Sequence, residues 1–107
     1  LFAAFALAAA PAPARLQVSA DEWGYTLSRQ TLKAGPALVE LVNFGEDDHD
    51  LRFRRVGGTR VYRIARTRPG GVRELGVRLL PGRFTLWCSL PGHRKRGMSA
   101  VLLVRKP

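Results

Sequence analysis

The sequence predicts an all-β domain: a Greek-key antiparallel β-sandwich of about seven or eight strands in two packed sheets. Three observations predict it. Short runs of alternating apolar and polar residues recur along the chain. Turn-forming residues separate them, with 11 Gly and 7 Pro in 107 residues. No stretch shows helical periodicity or a good capping box.

The elements follow in order. Leu16, Val18 and Ala20 alternate with Gln17 and Ser19 and make a first strand. After an Asp21-Glu22 turn, Trp23, Tyr25 and Leu27 alternate with Gly24, Thr26 and Ser28. Gln30 to Lys33 is a short strand ended by Ala34-Gly35-Pro36. Ala37 to Phe44 is a nearly continuous apolar run, as in a strand buried on both faces or close to it. Asn43 to Asp47 ends it with turn chemistry.

From Asp48 to Arg54, His49, Leu51 and Phe53 share one parity and Asp50, Arg52 and Arg54 the other. Period-2 geometry puts His49 on the core side and Asp50 on the outer side. Val61 to Ala65 fits a strand or a short helical turn. Leu75, Val77 and Leu79 mark a half-buried strand over Arg73 to Leu80, and Pro81-Gly82 turns the chain back. Phe84, Leu86 and Cys88 then form an inward row. Leu90-Pro91-Gly92 bends the chain, placing His93 on a loop, and Met98 to Arg105 reads as a last, central strand.

The composition is ordinary for one globular domain with one core: 46% hydrophobic and 24% charged residues. The formal net charge is +10. Such a charge speeds encounter with acidic surfaces, whether a partner protein, an anionic membrane or nucleic acid. Aromatic residues are 8% and form no stacking platform, which argues against nucleic acid. Much of the positive charge belongs to solvated strand faces.

Residues 1–14 resemble the apolar part of a secretory signal, with small residues at Ala12-Pro13-Ala14 before Arg15. Ten apolar residues before Pro11 are too few to span a bilayer, which takes about 20. The expected organisation is a leader over 1–14, cleaved or kept as an N-terminal anchor, and a domain over 15–107. The expected location is periplasmic or otherwise extracytoplasmic. An exported chain with one cysteine cannot close an internal disulfide, so Cys88 is buried and inert, pairs with another chain, reacts, or binds metal.

Its surroundings decide among these. The stretch Cys88-Ser-Leu-Pro-Gly-His93-Arg-Lys-Arg-Gly-Met98 holds the only Cys, the only Met and one of the two His. His49 is the other. Each residue alone is more often part of the core. Together they form a donor set for a trigonal His₂Cys site with a weak axial Met, suited to copper in both oxidation states. Zinc shares the Cys and His ligands.

Asn43-x-Gly45, His49-Asp50-Leu51, Pro81-Gly82 and Leu86-Trp-Cys88-x₄-His93-x₄-Met98 resemble the cupredoxins, the plastocyanin- and azurin-like type 1 copper proteins. The resemblance covers roughly residues 15 to 105. It implies a cupredoxin-like sandwich and outer-sphere electron transfer, with His49, Cys88 and His93 as equatorial ligands of one copper and Met98 as the axial one. It also implies a backbone N–H near Asp50 directed at the Cys88 sulfur, an Asn43 that braces the ligand loop, and an apolar docking patch of Leu90, Pro91 and Gly92 around His93. The expected protein is a monomeric, exported electron carrier between larger redox partners, some with acidic docking surfaces, and not an enzyme. Two histidines allow only one such site. Copper binding or delivery without fast redox cycling, or a metal-free interaction domain, are the alternatives.

Overall fold

The structure is a computed structural model that describes residues 12–107. Residues 1–11, most of the expected leader, lie outside the described residues. Nine strands are present among the described residues: β1 (Ala14–Asp21), β2 (Gly24–Leu27), β3 (Thr31–Lys33), β4 (Gly35–Asn43), β5 (His49–Arg55), β6 (Tyr62–Thr67), β7 (Val72–Leu79), β8 (Gly82–Trp87) and β9 (Ser99–Arg105). They form a four-stranded sheet in the order β2-β1-β4-β7 and a five-stranded sheet in the order β3-β9-β8-β5-β6.

The all-β sandwich is therefore as expected, with nine strands in place of about seven or eight and three further differences from the expected antiparallel arrangement. Each sheet is mixed, because β1 pairs with β4 and β3 with β9 in parallel. The segment left open between strand and helix is strand β6, antiparallel to β5. The short strand ends at Lys33, as expected, but Gly35 and Pro36 already belong to the next strand and open β4. Gly35 tolerates its positive φ of 111° at the strand's start.

The core lies between the sheets. Leu16, Val18 and Ala20 of β1, and Val39 and Leu41 of β4, are at most 2% exposed. They face Leu51, Phe53, Phe84, Leu86, Leu102 and Val104 of the other sheet. In β1, β5, β8 and β9 these are the inward parities read from the sequence, whereas β4, expected to be buried on both faces or close to it, buries Ala37, Val39, Leu41 and Asn43 and leaves the alternate Leu38, Glu40 and Val42 half-buried. β9 runs between β3 and β8, as a central strand should, although Val101 and Leu103 on its outer face are exposed.

Three features carry this frame to one pole. β8 and β9 pair from Gly82↔Val104 to Trp87↔Ser99. The pairing runs one step further where the Cys88 N–H donates to the Met98 carbonyl (3.2 Å). β5 pairs with β8 up to Arg52↔Trp87, which brings the start of β5 to the same end. The β1–β2 turn, residues 22–23, closes over that end from the opposite sheet. Among the described residues no helix is long and apolar enough to cross a membrane.

Candidate metal centre

The segment between β8 and β9 is a compact corner. Gly92 adopts φ 79°, a left-handed conformation that suits glycine. The His93 N–H donates to the Leu90 carbonyl (3.1 Å), and a short 3₁₀ helix, Arg94–Arg96, follows. The Met98 N–H returns to the His93 carbonyl (3.2 Å). Cys88 and Met98 thus lie just outside their strands, tied to each other and to His93 by main-chain bonds. All three side chains leave one small loop.

His49 opens β5 and is fully buried. Its Nδ1 lies 3.2 Å from Nδ1 of His93, and Nδ1 of His93 lies 3.5 Å from Sγ of Cys88. The three donor atoms all fall within 4.8 Å of one another. Bonds of about 2.0–2.3 Å to a single ion in a trigonal plane separate the donors by roughly 3.5 Å. Two imidazole nitrogens and a sulfur at this spacing fit one soft or borderline metal ion. Cys88 and Met98 are at most 1% exposed, whereas His93 is only half-buried. The cluster is thus closed on the core side, and one imidazole reaches the surface.

Opposing influences meet at the cysteine, and the net result holds its thiol above the ordinary value. Burial pushes the Cys88 thiol up from its ordinary value, while N–H groups of Asp50 and Leu90 directed at the sulfur draw it down. Those N–H groups would stabilise a thiolate. The Asp50 contact is the one implied by the resemblance.

Asp50 itself departs from expectation. Parity put it on the outer face with Arg52 and Arg54, yet it is 5% exposed. Its register explains this: the β5–β6 pairing is irregular between His49 and Leu51. Oδ1 accepts the Ser89 N–H (2.7 Å), Oδ2 accepts the Ser89 hydroxyl, and the Asp50 carbonyl accepts the Tyr25 hydroxyl. Asp50 therefore stitches β5 to the residue after the cysteine.

Asn43 braces the neighbouring loop. It is fully buried, donates from Nδ2 to the carbonyls of Asp47 (2.8 Å) and Thr67 (2.9 Å), and accepts the Gly45 N–H at Oδ1 (2.8 Å). Trp87, on the outward parity, packs under the Arg94 guanidinium, 4.9 Å from the ring centroid. Leu90, Pro91 and Gly92 line a shallow hollow with Trp87, Arg94 and Lys95 beside the cysteine.

Three participants escaped the sequence reading. Glu22 lies within 3.0 Å of His49 Nε2. Trp23 stands edge-on to the ring of His93, with centroids 4.8 Å apart. Tyr25 reaches the back of Asp50. All belong to the β1–β2 hairpin, where they read as turn and strand residues. No local spacing relates them to the His-Cys-His cluster.

A mixed two-sheet sandwich with a His-Cys-His cluster and a buried Met at one pole is the cupredoxin fold. Solved structures similar to it carry the same architecture. Dithionite-reduced auracyanin from the photosynthetic bacterium Roseiflexus castenholzii superposes with a TM-score of 0.70 at 15% identity, over 88% of this chain and 98% of that one. Auracyanin A from Chloroflexus aurantiacus, a "blue" copper protein, gives 0.69 at 12% identity, over 88% and 100%. A rusticyanin variant gives 0.70 at 14% identity, over 85% and 76%. At these identities the likeness is one of fold. No protein-family model and no curated protein matches the sequence.

Proposed function

We propose that this chain is a type 1 copper protein that carries single electrons between redox partners. The observation that carries the reading is the convergence of His49 Nδ1, His93 Nδ1 and Cys88 Sγ within 4.8 Å at the pole where the buried Met98 sits. His49, Cys88 and His93 would hold the ion, with the buried Met98 thioether as a further, weaker donor. Copper bound this way cycles between two oxidation states with little change in ligand geometry.

The chain's own residues serve that cycle by staying still. Main-chain bonds lock the 88–98 corner, Asp50 ties it to β5, and Asn43 braces the loop before His49. The half-buried His93 offers the path by which electrons enter and leave. The hollow beside it, with Arg94 and Lys95, suits a partner with an acidic rim. Two histidines in the chain supply one site of this type and leave none for a separate catalytic copper. An exported, extracytoplasmic setting agrees with a leader over residues 1–14.

The test is the visible spectrum of the copper-loaded protein. An intense blue thiolate-to-copper band is expected, and Cys88→Ser should abolish it. A colourless complex that does not cycle would instead indicate copper storage or delivery. Colour that survives in Cys88→Ser would refute the site.

A further inference from the structure

The face of His49 turned away from the cluster is also built. Its Nε2 lies 3.0 Å from Glu22 Oε1. Glu22 reaches it from the β1–β2 turn, on the opposite sheet and 27 positions earlier in the chain. The carboxylate is not loose. It accepts the Asp47 N–H at 2.7 Å and the Glu46 N–H at 3.0 and 3.1 Å.

Gly45 makes room for it. A Cβ on Gly45 would stand 2.5 Å from Glu22 Oε2 and 2.6 Å from Oε1, far inside contact distance. The Gly45 N–H is in turn held by Asn43. Turn and loop therefore form a fitted seat for one carboxylate, with His49 Nε2 as its third partner. In a chain of net charge +10, this places one of only 8 acidic residues directly behind a buried imidazole.

A carboxylate at Nε2 selects the tautomer in which Nε2 carries the proton, because an ionised carboxylate only accepts. The lone pair of the neutral ring is then on Nδ1, the atom 3.2 Å from His93 Nδ1. A carboxylate behind a ligating histidine also fixes the ring plane and makes the imidazole a stronger donor. Loss of such a partner typically costs about 10–100-fold in metal affinity.

We propose that Glu22 is the positioning residue of this metal centre: held in the Gly45 seat, it fixes the His49 tautomer and ring plane and adds a negative charge that favours the more highly charged state of the bound metal. The metal-dependent half of this inference rests on the copper reading above; the tautomer half does not.

The experiment has both arms. Nitrogen NMR of the metal-free protein reads the His49 tautomer directly. Chelator competition reads copper(II) affinity, and a redox titration reads the potential. Wild type should show Nε2–H only. Glu22→Ala should give mixed tautomers and lose about 10–100-fold in affinity. Glu22→Gln keeps an acceptor oxygen but not the charge, so it should keep the tautomer and raise the potential. Gly45→Ala should push the flexible carboxylate aside and mimic Glu22→Ala with the fold intact. Nδ1–H on His49 in wild type overturns the proposal. So does a folded Gly45→Ala or Glu22→Ala protein with unchanged tautomer and affinity. A wild-type protein that never turns blue defeats the copper reading alone, since the tautomer is measured without metal.

Discussion

His49 and His93 stand 44 positions apart in the chain, and their Nδ1 atoms stand 3.2 Å apart in space. No local rule connects them. β5 pairs with β8, β8 pairs with β9, and the corner between β8 and β9 carries His93 back over the start of β5. The site is a product of sheet register.

Met98 is fully buried at the base of that corner. Met98→Leu conserves volume and should cost less than about 1.5 kcal/mol, whereas Met98→Ala leaves a cavity and should cost about 2–5 kcal/mol. Denaturant unfolding of the metal-free variants measures both. Copper-loaded Met98→Leu should remain blue, because the colour belongs to the thiolate and not to the thioether.

Asn43 satisfies three main-chain groups at once. Asn43→Ala removes the side-chain partner of two carbonyls and one N–H, with the Thr67 carbonyl in a buried setting. The expected destabilisation is about 2–4 kcal/mol. Hydrogen exchange should rise first at Gly45 and Asp47, the residues that frame the Glu22 seat.

Tyr25 supplies the pH dependence. Burial, and then the negative charges of Cys88 and Asp50, push its phenol well above the ordinary value of 10.0. The unfolded chain loses this proton near that ordinary value and the folded chain does not, so above it the unfolded state binds fewer protons. The stability involved is fully present below pH 10.0 and falls as pH rises past it. Tyr25→Phe should lose about 0.5–1.5 kcal/mol at neutral pH, through the missing bond to the Asp50 carbonyl. Its stability should then decline less steeply in alkali. Unfolding curves of both proteins at neutral pH and above pH 10.0 decide it.

Lys95 is exposed in the hollow beside His93 and makes no ion pair among the described residues. If an acidic partner docks there, Lys95→Glu should slow bimolecular electron transfer and flatten its dependence on salt. The blue spectrum should not change. Stopped-flow rates at several ionic strengths are the check.

Much of the architecture could be read from residues alone. Parity in β5, β8 and β9 put His49 and Cys88 on inward rows because a pleated strand alternates faces whatever it pairs with. The parallel pairings of β1 with β4 and β3 with β9 could not be read. Alternation reports which face is buried and is silent on the neighbouring strand's direction. Asp50 was misassigned for the same reason. Parity assumes an even ladder, and the irregularity at the start of β5 lets a carboxylate turn inward where Ser89 and Tyr25 can satisfy it.

By itself, then, the sequence determined which candidate donors the chain has: one thiol, two imidazoles and one thioether, with three of the four on a single short stretch. Residue type and spacing carry that information. Only the tertiary structure decided what stands behind the donors. Glu22 reaches His49 across two sheets, into a slot that Gly45 leaves open. Such a contact depends on how a turn of one sheet overhangs the end of the other. It is set by packing and register over the whole sandwich, which no local pattern records.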